Sequence, residues 1–70
     1  MASFQERLIE TIMSDFENIK SLGPGKVQRN ECNLLLKRIE SAKKLFLDDQ
    51  DSSARLEKIE RSVSDLRLKS

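Results

Sequence analysis

Glycine and proline occur at one place in this chain, Gly23-Pro24-Gly25, and hydrophobic spacing of helical period flanks it on both sides. Glycine supplies the backbone freedom that ends helices, and proline cannot continue one. A chain of 70 residues with a single such break is therefore confined to a small set of amphipathic helices. Such helices offer faces to one another or to a partner, and few of the groups that chemistry needs.

The first helix is predicted over about Phe4 to Leu22. Ser3 and Glu6 make an S-x-x-E capping box at its start. Phe4, Leu8, Ile9, Ile12, Met13, Phe16, Ile19 and Leu22 recur at three- and four-residue steps and form one stripe. Gly23 ends this helix, and Pro24 suits the first position of the next. The second helix is predicted over about Lys26 to Leu47, with a core seam of Cys32, Leu35, Ile39, Ala42 and Phe46. Val27, Leu34 and Leu45 project from another side, so this helix is apolar on two faces. A middle helix packed between two others needs a second apolar face, and so does a helix that touches a partner.

Asp48-Asp49-Gln50-Asp51-Ser52-Ser53 contains no apolar residue. Continuing the seam of the second helix past Phe46 lands on Asp49 and Ser53, so the register fails and a turn is predicted. Asp51, Ser52 and Ser53 are all candidate N-caps for a third helix over about Ala54 to Leu68. Its seam is narrow: Leu56, Ile59, Val63 and Leu66. A hairpin with one long second arm is the alternative, because Asp, Gln and Ser do not forbid helix.

Charge is abundant and nearly balanced, at +1 overall. The balance differs by segment. Residues 1–22 carry −2, residues 23–47 carry +4 and residues 48–70 carry −1. A basic middle helix between two acidic ones suits an antiparallel bundle with opposite charges across the helix edges. Within helices, Glu40–Lys44 and Glu57–Arg61 have pairing spacing. The start of the chain has neither a basic flank nor an apolar run, so no signal peptide is expected, and no stretch approaches the ~20 apolar residues of a membrane span. An intracellular, cytoplasmic setting is the expectation, since the one cysteine, Cys32, has no partner for an internal disulfide.

Catalytic and metal chemistry finds little here. The chain has no histidine, hence no imidazole base and no His-paired nucleophile. One cysteine cannot build a thiolate zinc site. Gly23-Pro24-Gly25-Lys26 lacks the phosphate-loop spacing and a preceding strand. The aspartates at 48, 49 and 51 lack the central glycine of a calcium loop and are better read as helix caps. Cys32 lies on the seam and is read as a small buried hydrophobe. Lys37, Arg38, Lys43 and Lys44 form the densest basic cluster, but Lys37 and Lys44 share one side of the helix while Arg38 and Lys43 lie elsewhere. That dispersal argues against a nucleic-acid stripe or a lipid-headgroup surface. No enzyme activity, cofactor or metal is expected, and neither nucleic acid nor membrane is the expected partner.

The layout of three short antiparallel helices, with Gln28-Arg29-Asn30-Glu31-Cys32-Asn33-Leu34-Leu35-Leu36-Lys37 opening the second, resembles BAG domains, which bind heat-shock chaperones. It is also similar to the N-terminal helical domains of some v-SNAREs. Each likeness covers two helices. A BAG-like third helix would be distinctly basic, whereas Arg55, Lys58 and Arg61 alternate here with Glu57 and Glu60. The resemblances imply a chaperone-cofactor or vesicle-trafficking role.

The expected fold is all-α, a three-helix antiparallel bundle forming one domain over residues 1–70, with a self-associating helical hairpin that builds a four-helix bundle as the alternative. The expected core is Leu8, Ile12, Phe16, Ile19, Leu35, Ile39, Ala42, Phe46, Leu56, Ile59, Val63 and Leu66. The expected function is protein–protein docking or adaptor work, with a helical partner, through Val27, Leu34 and Leu45 as apolar contacts and Lys37, Arg38 and Lys44 as rim charges. Two competing readings remain. Val27, Leu34 and Leu45 could instead pack against the third helix, and the chain could instead be a coiled-coil-like assembly segment that forms homo-oligomers.

Overall fold

Ser3 opens the first helix: its hydroxyl accepts a hydrogen bond from the Glu6 backbone N–H at 3.2 Å, satisfying one of the donors a helix start leaves free. In the computed structural model, which describes residues 3–70, α1 then spans Phe4–Lys20, α2 Lys26–Leu45 and α3 Gln50–Lys69. The three helices pack on one another as an antiparallel bundle with a Cα radius of gyration of 12.1 Å. The long-hairpin alternative does not hold, because α2 and α3 are separate elements.

Each boundary has a local cause. Helix α1 stops two residues earlier than the apolar stripe predicts. Ser21 caps it, the Leu22 N–H turns back to the Ile19 carbonyl at 3.1 Å, and Gly23 takes φ +77°. A left-handed residue after the last turn is the usual way to close a helix. Leu22 is thereby outside α1 and exposed. Pro24 does not open α2; it precedes the N-cap Gly25, whose φ of 152° strains any residue with a side chain. Helix α2 ends at Leu45, with Phe46 as its cap, and Leu47 lies exposed in the turn.

The start of α3 corrects the sequence reading most. Its N-cap is Asp49, and Asp51, Ser52 and Ser53 all lie inside the helix. Asp49 Oδ1 accepts from the Ser52 N–H at 3.2 Å, and Asp49 Oδ2 accepts from the Ser52 hydroxyl at 2.7 Å. These bonds hold the Asp49 carboxyl below its ordinary value. A depressed native value means that the cap stabilises the fold fully above the ordinary carboxylate value, and that this contribution is lost as the pH falls through the native one. Asp49→Asn keeps an acceptor at the cap but removes the proton. Its acid unfolding curve should be flatter than wild type in that range, while Asp49→Ala should lower the melting temperature at every pH. Circular dichroism melts between neutral and acid pH check both.

The core consists of Ile9, Ile12 and Ile19 from α1, Cys32, Leu35, Ile39 and Ala42 from α2, Phe46 from the following turn, and Leu56 and Val63 from α3. Leu8, Phe16, Leu36, Ile59 and Leu66 pack against it while partly exposed. Leu8, Phe16, Ile59 and Leu66, expected in the core, thus pack at its rim, while Ile9, outside the expected core, is buried in it together with Cys32 of the predicted seam. The α1 stripe is wider than its buried strip, so Phe4 and Met13 are exposed at its edges. The Phe4 ring still meets Phe46 edge-on at 6.4 Å.

The charge pattern across the bundle follows the segment balance. Arg38 of α2 pairs with Asp15 of α1 at 2.8 Å, and Lys43 of α2 pairs with Glu60 of α3 at 3.4 Å. Among the described residues the intrahelical pair formed is Glu17–Lys20, at 2.9 Å. Glu40–Lys44 and Glu57–Arg61 remain apart.

Candidate functional site

The second apolar side of α2 is not covered by α3. Val27 is 64% exposed, Leu34 55% and Leu45 67%. With 3.6 residues per turn these three fall within about 20° of one line along the helix. The line lies on the opposite side of the α1–α2 pair from α3. The reading in which these residues pack against the third helix is therefore overturned: the packing side of α2, through Cys32, Leu35, Ile39 and Lys43, is enough to hold α3.

Sequence reasoning placed the face on α2 alone; the structure adds α1. Two shallow hollows lie along the α1–α2 seam. One is lined by Leu22, Val27, Leu34 and Leu35, with Glu31 at its edge. The other is lined by Phe4, Leu8, Thr11, Ser41 and Leu45, with Lys37 at its edge. Asp15 and Arg38 line both. Their ion pair is the partition between two apolar hollows that otherwise run on as one groove. The exposed ends of the α1 stripe, Phe4 and Leu22, were the sequence signal for the α1 contribution. They belong to the predicted stripe, but a stripe does not reveal its own width.

The six predicted contact residues separate into three roles. Val27, Leu34 and Leu45 form the apolar row. Lys37 and Lys44 are exposed and lie within about 20° of each other on the flank of α2 away from α1. Lys26 falls on that same line. Among the described residues none of these three lysines has an ion-pair partner. Arg38 differs: Asp15 compensates its charge, so it tethers α1 to α2 in the middle of the groove and is not a free rim charge.

Cys32 is fully buried and unpaired. Burial pushes its thiol up, partly opposed by the nearby Arg67 guanidinium. The protonated thiol is a poor nucleophile, and its position agrees with a packing role. No group of three or more potential metal ligands occurs among the described residues, and no helix there is long and apolar enough to cross a membrane. Comparison with known protein families, curated proteins and solved structures found no match to the chain.

Proposed function

We propose that this protein is a non-enzymatic docking module that binds a partner protein through the α1–α2 groove. The observation that carries this reading is the straight exposed row Val27, Leu34 and Leu45, continued by Leu22 and Phe4 of the first segment. Scattered exposed apolar residues need no explanation, but a contiguous set rimmed by charge marks an interaction surface. Burial of that row would supply the affinity, and the rim charges the register. A free buried cysteine suits a reducing interior, so the proposal includes an intracellular, cytoplasmic setting. Chaperone-cofactor and vesicle-trafficking adaptors are both forms of such a module.

Two measurements test this. Leu34→Asp and Leu45→Asp should each change stability by no more than about 0.5 kcal/mol, as at other exposed sites, and together by no more than about 1 kcal/mol. Circular dichroism melts check this, and a cooperative loss of structure would mean that these residues belong to the core. A photoreactive phenylalanine analogue in place of Leu34 or Leu45, illuminated in cells, should give discrete adducts with another protein, whereas one in place of the exposed Lys58 on α3 should not. Adducts of dimer mass would favour self-assembly, and equal labelling from all three positions would remove the surface.

A further inference from the structure

The geometry points to one occupant for this groove: a single amphipathic helix of a partner protein, lying alongside α1 and α2 as a fourth bundle helix, with acidic side chains along one flank. The inference rests on the docking reading above and specifies its partner.

The shape comes from the seam. Helices α1 and α2 already bury one side against α3, and their other side is a groove between two parallel cylinders, the seat a further helix takes in a four-helix bundle. The two hollows are centred about two helical turns apart along the seam. A helix seated there would fill them with two large apolar side chains about seven residues apart. Between the hollows lies the Asp15–Arg38 pair, which lines both. A small residue on the incoming helix fits over that polar waist.

The charge comes from the lysine row. Lys26, Lys37 and Lys44 run parallel to Val27, Leu34 and Leu45, one step to the side and away from α1. A helix resting on the apolar row has one flank over those lysines. Carboxylates recurring at seven- and eleven-residue steps on that flank would meet them, as e and g positions do in coiled coils. The α1 edge of the groove carries Thr11 and Asn18, with Arg7 and Glu10 of opposite sign beside Thr11, so it presents no row of one sign and the complementarity is one-sided.

A second copy of the chain is a poorer occupant, because its face brings the same three lysines, and Arg7, against only two unpaired carboxylates, Glu31 and Glu10. An anionic bilayer is poorer still. A flat surface cannot enter the groove between α1 and α2, and Glu31, which lines it, would meet like charge.

The test uses the whole chain and two synthetic helical peptides of about 21 residues, about 30 Å long. Both carry leucines seven residues apart with alanine midway, one with glutamates along one flank and the other with lysines there. Fluorescence anisotropy should show the glutamate peptide binding about tenfold tighter or more at low salt, with the gap narrowing as salt is added. Lys37→Glu with Lys44→Glu should reverse the preference, and Leu34→Asp with Leu45→Asp should abolish binding of both peptides. Equal affinities that still depend on Leu34 and Leu45 would overturn the acidic flank while leaving the docking surface standing. No binding of either peptide by a chain that sediments as a monomer would overturn the fourth-helix occupant, leaving the docking reading to the cross-linking result. A dimer, or adsorption to phosphatidylserine vesicles, that is lost in the Leu34→Asp, Leu45→Asp variant would overturn both.

Discussion

Leu56→Ala should leave most of the chain unfolded at 25 °C. Leu56 is fully buried, and α3 sends only Leu56 and Val63 completely into the apolar core. Truncating a buried leucine costs about 2–5 kcal/mol, because the transfer free energy is lost and a cavity remains. A helical domain of this size rarely has more than about 3–5 kcal/mol in total, so one such loss matches the whole margin. The seam of α3 is narrow, so few of its own side chains remain to cover the gap. Two readouts follow: loss of a cooperative helical melt, and exposure of Cys32 to thiol reagents. In the wild type Cys32 is fully covered and its thiol is held protonated, so its modification reports opening of the bundle. If Leu56→Ala melted within a few degrees of wild type and Cys32 stayed protected, α3 would not be closing the core. The self-associating hairpin would then return as the better account of the chain in solution.

The dependence on Leu56 was legible in the sequence, and the reason shows where such reading stops. Spacings of three and four residues mark Leu35, Ile39 and Ala42 on α2, Phe46 at its cap, and Leu56 and Val63 on α3, because helical winding brings them to one face. All six are buried. The same logic fails where a seam begins with a polar residue. Gln28 stands four residues before Cys32, and Ser52 four before Leu56; both are buried seam positions. An apolar pattern cannot see them, because what makes their burial tolerable is a hydrogen bond to another element or to a cap. Ser52 is satisfied by Asp49, which is why α3 begins inside a run that reads as a turn. Exposure is hidden in a similar way. Val27, Leu34 and Leu45 are visible as a second face, but whether α3 covers them depends on the angle at which it crosses α2, and spacing within one helix does not encode that angle. Leu22 and Phe4 join the groove only because the turn at Ser21–Gly25 brings α1 beside α2.

Gln28→Glu should destabilise the bundle by about 3 kcal/mol or more at pH 7, and Gln28→Leu by about 1 kcal/mol. Gln28 is buried where all three helices approach one end of the bundle. Its Nε2 donates to the Ile19 carbonyl at 3.0 Å, and its Oε1 lies 2.6 Å from the Ser70 hydroxyl, the donor of that bond. One side chain therefore ties the last turn of α1 to the end of α3 from the first turn of α2. Glutamate has nearly the same shape but no amide donor, so a carboxylate oxygen would face the Ile19 carbonyl in a buried site, where an unpaired charge costs several kcal/mol. Leucine removes the polar group altogether and orphans nothing outright. The Ile19 carbonyl keeps the Leu22 N–H, and the Ser70 hydroxyl can turn its one proton to the Leu66 carbonyl, 2.8 Å away. Protonation discriminates further. Burial raises the carboxyl's native value above its unfolded one, so the glutamate variant should gain stability, relative to wild type, as the pH falls through that raised value. Melts of the three proteins at neutral and mildly acid pH measure this; equal effects of Leu and Glu, independent of pH, would mean that position 28 is open to water. The consequence reaches the groove, because Val27 precedes Gln28 and Leu22 follows Ile19 in the turn that Gln28 fastens. A loosened clamp should blur the hollow between Leu22 and Leu34 before it disturbs the one at Leu45, so the Gln28→Leu variant should lose helix-peptide affinity out of proportion to its small loss of stability.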